Sequence, residues 1–168
     1  MREHWNGKLI LKSILDEEDA RIAHGIGADA VIVSNHGGRQ LDGAPSTISM
    51  MPRIADVLHG DIELHMDGGI RSGQDVLKAF ACGAHPVHMG RAFLYGLGVE
   101  GEAGVARYLE IVRDELDMTM TLAGVTDVRA IDGDVLRAGG FMRKRLSSHA
   151  LSNPSANAGA KPVHVQAA

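Results

Sequence analysis

The segment ADAVIVSNHGGRQLDG, residues 28–43, joins an apolar run to a polar, glycine-rich loop. The run at residues 30–34 is β-branched and uninterrupted, which is typical of a strand buried on both faces of a parallel sheet. The loop then places His36 and Arg39 three residues apart across two glycines. A simple turn needs neither an imidazole nor a guanidinium, so the end of this strand predicts a chemical role.

The same order of strand and helix is predicted four times along the chain. Apolar strands are predicted at residues 9–12, 30–34, 62–67 and 85–90. Helices are predicted at 16–25, at 48–60, from about 72, and finally as a short helix followed by a longer one at 102–122, with a last helical turn at 127–131. Crossovers of this length predict parallel pairing, so the α/β fold is either a doubly wound sheet or a TIM barrel.

The length restricts this choice. A complete eight-unit barrel takes roughly 250 residues, whereas the four units occupy residues 1–146. The chain is therefore either a small open sheet or half of a barrel. Residues 147–168 are rich in Ser, Ala, Asn and Pro without an apolar period, which predicts a disordered tail.

Composition argues against several classes of function. The net charge of −4 argues against a general nucleic-acid binder, and the single cysteine, Cys82, excludes both a disulfide framework and a multi-cysteine zinc site. No apolar run approaches the ~20 residues of a spanning helix, and residues 1–8 lack the apolar segment of a secretory signal. We therefore expect a cytoplasmic location, either free or peripheral at the cytoplasmic membrane.

Polar or glycine-rich segments lie at the C-terminal end of each predicted strand, at the edge where parallel α/β folds bind their ligands. Lys12 ends the first strand, and the other strand ends carry Ser34 with His36 and Arg39, DGGIR (67–71), and Gly90 with Arg91. Two Gly-Arg segments on consecutive strand ends favour a phosphate site, because backbone N–H and guanidinium groups bind phosphate oxygens.

His36 and Arg39 form a second candidate site. An arginine fork matches a carboxylate, and an imidazole suits proton abstraction near neutral pH. Together they could hold an acid substrate and deprotonate it. The alternative for this loop alone is structural, with His36 capping the turn and Arg39 solvated.

These segments together resemble the C-terminal half of the FMN-dependent α-hydroxy-acid dehydrogenase/oxidase family, which includes flavin L-lactate dehydrogenases, glycolate oxidase and mandelate dehydrogenase. The matching stretches are LKSILDEEDARIA, DAVIVSNHGGRQLDGAPST, MDGGIRSGQDVLKAFACGA and MGRAFLYGL, in the family's order and spacing. The resemblance implies a (β/α)₈ barrel, of which residues 1–146 hold about four C-terminal units.

The resemblance also implies roles. It implies FMN as the cofactor and oxidation of an L-2-hydroxy acid to the 2-oxo acid, with L-lactate as the best single guess for the substrate. The final electron acceptor in the family is a quinone, oxygen or a cytochrome, and the resemblance does not choose among them. His36 matches the family's base and Arg39 the residue that binds the substrate carboxylate. The positions that match flavin contacts are Lys12, Ser34, His36, Asp67, Gly68, Gly69, Ile70, Arg71, Gly90 and Arg91. The full-length family further implies a homo-oligomer.

The chain departs from the family in three respects. Ser13 follows Lys12 where the family usually has glycine, and His85, Pro86 and His88 replace small or aliphatic residues. We predict no metal site from these histidines and His65. The family's N-terminal half, which supplies four strands and an acid that pairs with the catalytic histidine, matches no segment here.

The missing half leaves alternatives to the enzyme open. We expect the first and fourth strands to be open edges. The chain could then be a truncated, non-catalytic half barrel that binds FMN or a phosphate. Another flavin or phosphate barrel, such as a nucleotide dehydrogenase, is disfavoured because the His-Arg pair suits a small carboxylic acid.

Overall fold

The computed structural model describes residues 2–136, so the predicted boundary at residue 146 and the predicted disordered tail lie outside the described residues. Four strands are followed in turn by four helices. The strands are β1 (Ile10–Ile14), β2 (Ala30–Val33), β3 (Glu63–Asp67) and β4 (Val87–His88). The helices are α1 (Glu17–Gly25), α2 (Thr47–Leu58), α3 (Gly73–Ala81) and α4 (Arg91–Ala123), with short 3₁₀ turns at Arg2–His4, His36–Gly38, Val128–Ala130 and Gly133–Val135.

The strands form one parallel sheet in the order β1-β2-β3-β4. Chain order equals spatial order in a (β/α)₈ barrel, whereas a doubly wound sheet reverses direction at its switch point. Within residues 2–136, β1 and β4 each pair with a single neighbour, and the barrel does not close. The four-unit half barrel and its two open edges are therefore confirmed.

The two faces of the sheet have different compositions. Val31 pairs with Leu64 and Val33 with Met66, so these side chains share the face that packs against the helices. The largest side chains buried there have relative exposures under 2%: Met51, Ile54, Leu58, Val31 and Val33. The opposite face carries Lys12, Ile32 and His65 in register, and this face supplies the polar side chains of the site.

Capping side chains begin two of the helices. Asp16 accepts hydrogen bonds from the backbone N–H groups of Glu18 and Asp19 and begins α1. Ser72 and Asp75 form a reciprocal capping box at the start of α3. No helix among residues 2–136 is both long and apolar enough to cross a bilayer.

Helix α4 is kinked. Glu100 and Gly101 leave helical geometry, which divides α4 into the short and the longer helix that the sequence predicts. Across the kink, a Cβ added to Gly96 would lie 2.4 Å from the carbonyl oxygen of Gly104, and one added to Gly104 would lie 2.0 Å from that of Gly96. Only glycine permits this approach of the two parts of α4, and the helix packs against α3.

Strand β1 differs from the prediction. The apolar run at residues 9–12 predicts a strand that ends in Lys12, but β1 runs from Ile10 to Ile14 and Lys12 lies in its middle. The prediction that Lys12 ends the strand is wrong. Ser13 has a φ of 75° and leaves the ladder as a bulge, and pairing resumes between Ile14 and Val33.

The packing of α3 against α4 provides a test of this fold. A Cβ on Gly73 would lie 2.1 Å from the backbone nitrogen of Leu116, so Gly73→Ala must push the helices apart. We expect a loss of about 2–3 kcal/mol in the free energy of unfolding, measured by urea denaturation. Gly25→Ala is the matched control, because its Cβ meets no atom within 4 Å and alanine favours α1 by about 0.5–1 kcal/mol. Equal stability of the two variants would contradict the α3–α4 contact.

Candidate functional site

A cavity of about 720 Å³ opens at the carboxyl ends of the strands, a volume within the usual range for small-molecule sites. Every predicted site residue except Ser34 lines it: Lys12, His36, Arg39, Asp67, Gly68, Gly69, Ile70, Arg71, Gly90 and Arg91. The structure therefore brings together residues from β1 and from the ends of β2, β3 and β4, although Lys12 and Arg91 lie far apart in the sequence.

Ser34 lies beneath the cavity and connects three strands. Its side chain is buried, and Oγ accepts hydrogen bonds from Lys12 Nζ (2.8 Å) and from the His36 backbone N–H (3.1 Å). The Ser34 hydroxyl donates to Asp67 Oδ2 at 2.9 Å. One proton and two lone pairs are thus all used, and the residues around the cavity floor are held in one network.

Lys12 and Asp67 form an ion pair in this network. Burial raises the pKa of the Asp67 carboxyl, but the hydrogen bonds from Lys12 and Ser34 and the positive charge of Lys12 and His88 together outweigh it, so that the pKa lies below the usual range. Asp67 is therefore a carboxylate at neutral pH, and it holds the Lys12 ammonium at the cavity wall.

The loop after β2 turns within three residues. His36, Gly37 and Gly38 have φ values of 55°, 68° and 73°, a left-handed run that glycine adopts readily and that is uncommon for residues with a side chain. The Asn35 side chain accepts the Gly37 N–H at 3.0 Å and fixes the turn. This turn exposes the His36 ring at the cavity, where Nδ1 lies 2.9 Å from Ser13 Oγ.

The cavity is strongly cationic. Lys12, Arg39, Arg71 and Arg91 line it, and Asp67 is its only carboxylate among the described residues. Arg91 begins α4 and donates to the Gly37 carbonyl at 3.2 Å, while no side chain caps the start of that helix. Uncapped N–H groups and guanidinium groups at one end of a cavity are suited to a phosphate.

The segment after β3 has the backbone that a close ligand contact requires. Gly68 and Gly69 have φ values of 101° and 82°, which favour glycine. Gly69 has open space around its missing Cβ, so the main chain is accessible from the cavity. These features, with the cations and the cavity volume, fit a phosphorylated aromatic cofactor such as FMN.

Several lining residues were not predicted: Gly37, His88, Ala92, Tyr95 and Tyr108. Tyr108 comes from the longer part of α4, and its hydroxyl lies 3.4 Å from the Arg71 carbonyl oxygen. No sequence pattern marks Tyr108, because only the kink in α4 returns it to the site. His88 has a sequence signal, because it stands where the family resemblance predicts a small or aliphatic residue.

His88 belongs to a row of polar side chains. Its Nε2 lies 3.0 Å from His65 Nδ1, and His65 Nε2 lies 3.2 Å from a carboxylate oxygen of Glu63. Burial and the neighbouring His65 lower the pKa of His88. Within residues 2–136 no three His, Cys, Asp or Glu side chains are grouped as metal ligands.

The sequence profile of the FMN-dependent dehydrogenases matches residues 1–138. The chain belongs to this family. It is 48% identical over 139 residues to an L-lactate dehydrogenase of Chromohalobacter salexigens, an alignment that covers 83% of this chain and 36% of that protein. The resemblance inferred from the motifs is thus confirmed.

Solved structures of mandelate oxidases contain the same fold over the part of their chains that this chain matches. A mandelate oxidase with benzoyl-formic acid aligns with a TM-score of 0.75 at 47% identity, over 77% of this chain and 39% of that one. A Tyr→Phe variant of mandelate oxidase with a monooxide FMN adduct aligns equally well, over 41% of its length. The chain therefore spans between a third and a half of the length of these relatives.

The Asp67 network gives a pH-dependent prediction. Because the folded-state pKa of Asp67 lies below its unfolded value, its contribution to stability is present above about pH 4 and is lost as pH falls through the folded pKa. Asp67→Asn should cost about 1–2 kcal/mol at pH 7, a modest value because Lys12 is partly exposed to solvent.

Urea unfolding at several pH values measures this effect. The difference between wild type and Asp67→Asn should shrink below pH 4, whereas the exposed Asp56→Asn control should change little at any pH. A wild-type advantage that grows as pH falls would contradict the network.

Proposed function

We propose that this chain supplies the flavin-binding and proton-abstracting half of an FMN-dependent L-2-hydroxy-acid dehydrogenase. The observation that carries the proposal is a single cavity in which His36, Arg39 and Lys12 meet the two Gly-Arg segments. One cavity therefore offers a base, a guanidinium for a carboxylate and a phosphate-binding end to one cofactor and one small acid.

For the cofactor, we assign the phosphate to Arg71, Arg91 and the start of α4, where guanidinium and N–H donors gather. The main chain at Gly68 and Gly69 suits the ribityl chain, and Lys12 suits the polar edge of the flavin ring. When bound, FMN accepts the two electrons that the substrate gives up.

For the substrate, we assign its carboxylate to the Arg39 fork and its hydroxyl proton to His36. Both side chains line the cavity and are exposed to it, and neither is held in an ion pair among residues 2–136. Arg39 therefore keeps its donors free for a bidentate contact. The Lys12 ammonium adds positive charge beside the reacting atoms, which favours the developing anion.

L-lactate is the substrate that we propose first. The support is the 48% identity to a relative named as an L-lactate dehydrogenase. Mandelate oxidases at 47% identity make L-mandelate the natural comparison, and a panel of hydroxy acids is therefore part of the test below.

A second candidate function is FMN binding without turnover. The observation in its favour is that, in the part of the chain that the structure describes, the His36 ring contacts a hydroxyl and no carboxylate. A hydroxyl stabilises an imidazolium less than a carboxylate does. Both candidates share the cofactor site and differ in whether 2-hydroxy acids reduce it.

Flavin affinity tests the phosphate assignment. Arg91→Ala should weaken FMN binding by about 10- to 100-fold, the loss expected for a charge-assisted hydrogen bond, and should leave riboflavin binding nearly unchanged. Arg107→Ala on the same helix is the matched control, because Arg107 is exposed and, among residues 2–136, pairs only with Glu110. Quenching of flavin fluorescence measures each dissociation constant. An equal loss for FMN and riboflavin would contradict a phosphate contact at Arg91.

Anaerobic reduction tests catalysis. We expect L-lactate to bleach the bound flavin faster than glycolate or L-mandelate near neutral pH. Arg39→Lys should raise the half-saturating L-lactate concentration at least about tenfold, because an ammonium cannot form the bidentate contact. Bound FMN that none of these acids bleaches would overturn the enzymatic proposal and support binding without turnover.

A further inference from the structure

Ser13 and His36 meet at a hydrogen bond between two strained residues. Ser13 Oγ and His36 Nδ1 lie 2.9 Å apart, and the two residues have φ values of 75° and 55°. Residues other than glycine rarely adopt this left-handed backbone conformation, and such strain is concentrated at functional sites. Ser13 lies in the bulge of β1 and His36 in the turn after β2, so the hydrogen bond joins two irregular segments of neighbouring strands.

The strain at Ser13 is avoidable. Ser13 forms the bulge in β1 between Lys12 and Ile14 and takes no place in the strand pairing. Glycine adopts a φ of 75° without steric cost. A serine at this position therefore adds a hydroxyl at a backbone cost, and that hydroxyl contacts His36.

We propose that Ser13 is a positioning residue for His36. Its Oγ accepts a hydrogen bond from Nδ1–H, which fixes the ring and selects the neutral tautomer with an unprotonated Nε2. This inference rests on the proposed function, in which His36 is the base. The substrate hydroxyl proton then moves to Nε2, and the resulting imidazolium keeps its Nδ1–H bond to Ser13.

The opposite direction of this hydrogen bond has the opposite consequence. If the Ser13 hydroxyl donated to Nδ1, the neutral ring would carry its proton on Nε2, and that nitrogen could not accept another. The tautomer of His36 therefore decides whether Ser13 prepares the base or blocks it, and it can be measured without flavin or substrate.

The test is the ring tautomer of His36 in the full-length chain, labelled with ¹⁵N and observed by long-range ¹H–¹⁵N NMR at a pH where the ring is neutral. The variant His36→Gln identifies its signals. We expect Nδ1–H in wild type and a shift toward Nε2–H in both Ser13→Ala and Ser13→Gly. Ser13→Ala removes the hydroxyl and keeps the strain, whereas Ser13→Gly removes both, so equal responses assign the effect to the hydroxyl.

Three results would overturn the inference: Nε2–H in wild type, no change in either variant, or a change in Ser13→Gly alone. Failure of FMN binding or turnover leaves this measurement intact, so the two proposals fail separately. In flavin-loaded protein that oxidises L-lactate, Ser13→Ala should lower kcat by about 10- to 100-fold with KM nearly unchanged. A rise in KM alone would place Ser13 in substrate binding instead.

Discussion

The Ser34 hydroxyl is the constraint on which the site depends. Its oxygen forms hydrogen bonds with Lys12 of β1, Asp67 of β3 and the backbone N–H of His36 in the turn after β2. Because Ser34 is buried, losing one partner would leave a polar group without compensation. The network thus couples the position of the Lys12 ammonium, the charge of Asp67 and the turn that presents His36.

Much of this arrangement follows from local sequence. Asp16 and the Ser72–Asp75 pair mark helix starts through caps within one turn, and the β-branched run at 30–33 marks a buried strand. Parallel pairing then brings the strand ends to one edge, so the residues that line the cavity could be predicted before their distances were known. The family motifs predict that this edge binds a flavin and a small acid.

Other features depend on contacts that no local pattern encodes. The predicted extent of β1 was wrong because a bulge at Ser13 lets the strand continue past Lys12 to Ile14. A bulge is defined by its pairing with the partner strand and not by a local sequence pattern. Tyr108 reaches the cavity only because Gly96 and Gly104 let α4 fold back on itself. In both cases a backbone conformation, rather than hydrophobic periodicity, decides where a side chain lies.

The sequential strand order has a kinetic consequence. Sheet partners are close in the chain: Ile10 pairs with Ala30, Ala30 with Glu63, and Met66 with Val87, separations of 20, 33 and 21 residues. Each pairing therefore closes one loop of similar length, and the entropic cost of closing a loop rises only slowly with its length. Because β2, β3 and β4 each pair with the strand synthesised just before them, the sheet can extend in the order in which the chain leaves the ribosome.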